Sequence, residues 1–112
     1  MERFDLLKVT LDEVYEELTS VLAAKNADYA GGLEDLDEFA NFQLAKLFLG
    51  LAVEQAIYVR FLDKVARIAS LMRGRERKVV DERLDDTILD AIGYLVILKA
   101  WFKKMELEQQ DE

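Results

Sequence analysis

From residue 4 onward, Phe4, Leu7, Leu11, Val14, Leu18 and Val21 fall at alternating steps of three and four, with Asp5, Lys8, Asp12, Glu13, Glu16 and Glu17 between them. That spacing puts one apolar seam on a helix whose other sides are wet, and it predicts a first helix over 3–24. The polar stretch KNADYAGGLEDLDE then predicts a flap or loop over 25–37, with Gly31-Gly32 its strongest breaker. A second, shorter helix over about 38–49 carries Phe39, Ala40, Leu44, Leu47 and Phe48 and stops at Gly50. A third, over 53–73, has Ile57, Phe61, Val65, Ile68 and Met72 on one face and ends in the basic loop RGRERK. Asp81 reads as the N-cap of a fourth helix over 82–105, whose first turns are acidic and whose far end holds Lys99, Lys103 and Lys104, as the helix dipole favours. The closing MELEQQDE is polar enough to fray.

No segment alternates in the manner of a strand, and the chain has no Pro, so the pattern predicts an all-α bundle. A length of 112 residues suits a single domain, large enough to bury roughly two-thirds of its unfolded surface. The absence of Cys and His removes disulfides, thiolate nucleophiles, imidazole bases and the usual zinc sets. Chemistry is left to carboxylates, Lys, Arg, Tyr and hydroxyls, and among metals to the hard ions Mg²⁺ or Mn²⁺. The start of the chain lacks a signal peptide's apolar run and no stretch reaches the ~20 apolar residues of a membrane span, which predicts a cytoplasmic protein with no membrane partner. A net charge of −8 argues against direct nucleic-acid binding.

Three charged groups stand out. In the fourth helix TILDAIGYLVIL, Thr87 to Leu98, is apolar nearly all round and predicts a central, buried helix, yet Asp90 sits in its middle. A carboxylate there needs a partner or a metal. Asp86 and Glu82 precede it at one-turn intervals, so the three acids share a side. They can hold a divalent ion; alternatively Glu82 and Asp86 face water at the helix start while Asp90 pairs with one Lys or Arg. In the third helix Arg60, Asp63, Lys64 and Arg67 gather opposite the apolar face. A solvated face looks like this, and so does a metal and phosphate site in which Asp63 ligates an ion while Arg60, Lys64 and Arg67 neutralise phosphate oxygens. The third group, Lys25 to Tyr29, is either a helix C-terminus followed by a turn or a flap in which Lys25 meets a phosphate and Tyr29 stacks on a base.

Taken in order, Lys25-x-x-Asp28-Tyr29, Asn41-Phe42, Arg60-x-x-Asp63-Lys64-x-x-Arg67 and Asp86-Thr87-x-x-Asp90-x-x-x-Tyr94 resemble the phage and bacterial family called nucleotide modification associated domain 1. That family resembles in turn the MazG-like all-α nucleoside triphosphate pyrophosphohydrolases, whose bundle holds Mg²⁺ between an E-x-x-E helix and an E-x-x-D helix. The resemblance spans Lys25 to Lys99. It implies a MazG-like four-helix bundle completed by oligomerisation as a dimer or tetramer, with a nucleotide site between the third and fourth helices. There Asp63, Asp86 and Asp90 would hold the metal, with Glu82 an outlying ligand or water-positioning base. Lys25, Asp28, Tyr29, Asn41, Arg60, Lys64, Arg67 and Tyr94 would meet the nucleotide. Two positions depart from the pyrophosphohydrolase pattern. Arg60 stands where an acid belongs three residues before Asp63, and Asp86 and Asp90 are four apart rather than three; Glu82 and Asp85 fit E-x-x-D in letters, but Asp85 points away from the other two acids.

The expected activity is Mg²⁺-dependent release of pyrophosphate from a nucleotide, ordinary or modified. Two other readings fit the residues: a protein that binds the nucleotide without cleaving it, and an acidic interaction module or inhibitor whose surface imitates nucleic acid.

Overall fold

A computed structural model describes residues 3–32, 39–73 and 82–110 of the chain. All regular structure among them is helical: α1 (Arg3–Gly32), α2 (Ala40–Leu49), α3 (Val53–Met72) and α4 (Glu82–Gln110). The all-α expectation is met. Contacts divide the chain into two units, Met1–Glu38 and Phe39–Glu112.

In the first unit α1 outruns its predicted end at residue 24 and passes through Lys25, Asn26, Ala27, Asp28 and Tyr29, so residues 25–32 of the expected flap are helix. Residues 25–30, two of them Ala, carry neither Pro nor Gly, and the helix continues through Gly31-Gly32, the pair read as the strongest breaker. The rest of the expected flap and the basic loop after Arg73 lie outside the described residues. Along α1 the hydroxyls of Thr10 and Thr19 donate back to the carbonyls of Leu6 and Tyr15, at 2.7 and 2.6 Å. Leu7 and Leu11 of the predicted seam are exposed, whereas Val14 and Leu18 are half-buried.

The second unit holds α2, α3 and α4. Phe39 opens α2 by accepting bonds at its carbonyl from the N–H groups of Phe42 and Gln43, both at 3.0 Å. Gly50 closes it in the left-handed region, φ 71°, donating to the carbonyl of Lys46 at 3.1 Å. The chain then turns by 112° into α3, where the Gln55 side chain accepts from the N–H of Ala52 at 3.0 Å, one half of a capping box. α2 and α4 each pack against α3. The core forms where Phe39, Val53 and a fully buried Ile57 meet Phe42, Ile97, Leu98, Ala100 and Trp101.

A side-chain cluster pins this core. The Trp101 indole N–H donates to Glu54 Oε2 at 3.1 Å, the Phe39 ring meets the Trp101 ring edge-on at 5.1 Å, and the Lys104 ammonium lies over both rings. Glu54 pairs with Trp101, Arg60 with Tyr94 and Lys64 with Asp90, so positions fall along α4 as they rise along α3. The two helices are antiparallel.

α4 is not buried all round, as its apolar run predicted. Thr87 and Ala91 are buried, but Ile88, Leu95 and Val96 are exposed. Within the unit α3 covers one side of α4, and the apolar residues on the other side face outward. None of the four helices alone is long and apolar enough to cross a membrane.

Candidate nucleotide site on facing edges of α3 and α4

The antiparallel register brings the charged edge of α3 beside the acidic edge of α4. Lys64 Nζ stands 3.4 Å from Asp90 Oδ2, and Asp90 keeps 53% of its side chain exposed. The acid expected inside an apolar helix is thus a wet one with a cationic partner, because it lies at the margin of the α3–α4 contact and not in its centre. One turn along, the Arg60 guanidinium lies over the Tyr94 ring, 5.9 Å from its centre. Interaction with the Tyr94 side chain and, less strongly, with Asp63 holds Arg60 above its usual range, while burial works against it. The same register carries Arg67 toward the turn of Asp86 and Thr87.

Of the predicted phosphate and nucleotide contacts, Arg60, Lys64 and Tyr94 are therefore gathered, and Arg67 follows on the same edge of α3. Asp63 and Asp86 are exposed. Thr87 is buried and satisfies its hydroxyl by donating to the carbonyl of Arg83 at 2.6 Å. The side chains of Lys25, Asp28, Tyr29, Asn41 and Glu82 lie outside the described residues. Among the described residues no three acids converge as donors for one ion, and the Asp90 carboxylate is already held by Lys64.

Beside this edge lies a feature the periodicity did not pick out. An open groove of about 430 Å³ is lined by Phe42 and Ala45 of α2, by Leu51, by Ala56 and Val59 of α3, and at one end by Arg60 and Tyr94. Two small residues make the room, since Ala45 and Ala56 stand where larger side chains would fill the space. Their smallness was visible in the sequence, but the facing of α2 and α3 that makes them neighbours was not.

Compared with protein-family models, with curated proteins and with solved structures, the chain matches none.

Proposed function

We propose that the facing edges of α3 and α4 bind a nucleotide, in a MazG-like bundle that self-associates in the cytoplasm. The observation that carries this is the row of Arg60, Lys64 and Arg67 along one edge of α3, adjoining an apolar groove that Arg60 helps to line. Three cations spaced along two turns suit a run of phosphates, and Arg offers paired donors to phosphate oxygens. Lys64 is the shared member. Asp90 holds its ammonium in the free protein, and an arriving phosphate competes for it, which releases the Asp90 carboxylate.

In the hydrolytic form of this reading, water attacks the α-phosphorus, the bond to the bridging oxygen breaks and pyrophosphate leaves. Arg60, Lys64 and Arg67 offset the negative charge on the phosphate oxygens, while Glu82 positions the water. Since no three acids converge among the described residues, Mg²⁺ or Mn²⁺ in this form would be held by one or two of Asp63, Asp86 and Asp90 together with the nucleotide's own phosphates, and would supply Lewis-acid polarisation of those oxygens. A second reading, capture without cleavage, is favoured by the Lys64–Asp90 pair and by Arg60, both of which put cations where a hydrolase concentrates carboxylates.

The test is a panel of nucleoside mono-, di- and triphosphates with Mg²⁺ or Mn²⁺, read by chromatography for products and by thermal shift for binding. Release of pyrophosphate that falls at least a hundredfold in Asp63→Asn and in Asp90→Asn is expected of the enzyme. Stabilisation with no product establishes capture instead. If no nucleotide raises the melting temperature or is consumed, the nucleotide reading is wrong.

A further inference from the structure

We infer that the groove between α2 and α3 takes the base of the nucleotide and recognises it by apolar shape, without reading its hydrogen-bonding edge. The inference rests on the nucleotide reading above and says where the base goes and how selective the protein is. A volume of about 430 Å³ is within the range of small-molecule sites and suits a flat ring system. Among the described residues, the lining side chains other than Arg60 and Tyr94 carry no hydrogen-bonding group. A ribose there would lose water from its hydroxyls and gain few partners, whereas a nucleobase has two apolar faces to bury.

Charge fixes the ligand's orientation. Arg60 lines one end of the groove and begins the cationic row that continues through Lys64 and Arg67 down α3. A base in the groove therefore sends its phosphates past Arg60 toward Lys64. Arg60 is held in place by Tyr94, whose ring lies beneath the guanidinium. Tyr94 thus positions Arg60 as well as lining the groove itself. Since the groove's side chains offer few groups to tell one base edge from another, purine and pyrimidine nucleotides bind alike, and discrimination falls to the phosphates.

The test compares ATP, UTP and inorganic tripolyphosphate, each with Mg²⁺, by calorimetric titration of the full chain. ATP and UTP are expected to bind within about fivefold of each other, and both roughly tenfold more tightly than tripolyphosphate, from burying and stacking the ring. Val59→Glu, at an exposed position whose substitution leaves the core in place, is expected to bring ATP down to the tripolyphosphate level while tripolyphosphate binding stays within about threefold of its original value. Tyr94→Phe, which removes the phenol oxygen beside Arg60, is expected to weaken all three ligands by a similar factor. Equal binding of ATP and tripolyphosphate by the unaltered protein overturns the inference but leaves the nucleotide reading standing. So does a preference above fiftyfold for one base, or a Val59→Glu effect of equal size on ATP and tripolyphosphate. If none of the three binds, the nucleotide reading fails and the groove assignment goes with it.

Discussion

Trp101 shows how one side chain can lock a register. Its indole N–H reaches Glu54 at 3.1 Å, and its ring packs on Phe39 at the mouth of α2, so a residue of α4 fixes the starts of both α2 and α3. Glu54 lies in the first turn of α3, where the helix dipole also favours its charge. Trp101→Phe keeps an aromatic ring against Phe39 but leaves the partly buried carboxylate without its donor. We expect it to cost about 1.5–3 kcal/mol, as hydrogen bonds to charged groups do, measured as a lower urea midpoint with unchanged slope. The Lys64–Asp90 pair is the opposite case. Both partners reach water, so Asp90→Asn is expected to change stability by less than about 1 kcal/mol. A small effect on folding beside a large one on nucleotide binding or turnover is how a functional pair separates from a structural one. Sequence reasoning identified Asp90 as unusual because its neighbours are apolar, and it offered pairing with Lys or Arg as one resolution. It misjudged the burial, since an apolar run around the whole helix cannot say which of its sides the fold covers.

At the scale of the element, breakers and caps were legible and the competence of polar segments was not. Gly50 was read as the end of α2, and it is, because its φ of 71° is a conformation that side-chain-bearing residues adopt only at a cost. A methyl group built on Gly50 would meet nothing within 4 Å, so the penalty of Gly50→Ala is that of the backbone alone. We expect about 1–2 kcal/mol, again from denaturant unfolding, and a similar cost for Gly50→Val would show that space around the residue is not what matters. The far end of α3 at Met72 and the start of α4 at Glu82 also lie within a residue of their expected places, but α4 runs on to Gln110, five residues past its expected end at 105 and through most of the tail read as fraying. α1 departs furthest. The charged, polar residues after Lys25 were read as a flap, but polarity alone does not end a helix, and α1 includes even the Gly31-Gly32 pair. Whether two charged rows would face each other was beyond periodicity altogether. That facing depends on the vertical offset between α3 and α4, which the fit of Val53 and Ile57 against Ile97, Leu98 and Trp101 sets.

For the whole molecule, the question is what covers α2. On one side Phe42 and Ala45 are half-buried and line the groove; on the other, Leu44, Leu47 and Phe48 point outward, and Leu47, Phe48 and Leu49 are 75%, 76% and 74% exposed. A helix apolar on opposite faces is ordinarily a buried helix, and large apolar residues grouped in this way mark a contact surface. A second copy of the chain suits that face on electrostatic grounds. A two-fold contact sets each patch against itself, so it tolerates a neutral patch and penalises a charged one. Lys46 is the one charged residue in α2, whereas α1 carries five acids between Asp5 and Glu17 and would repel its own image. The net charge of −8 likewise disfavours an anionic lipid surface as the occupant. We therefore expect the protein to sediment as a dimer or larger assembly at micromolar concentration, and Leu47→Glu with Phe48→Glu to yield a folded monomer with unchanged helical content. A wild-type chain that remains monomeric up to a hundred micromolar would exclude self-association through α2. If the double variant lost its assembly and its nucleotide binding together, the interface would help to shape the neighbouring groove, since Phe42 and Ala45 line that groove from the same short helix.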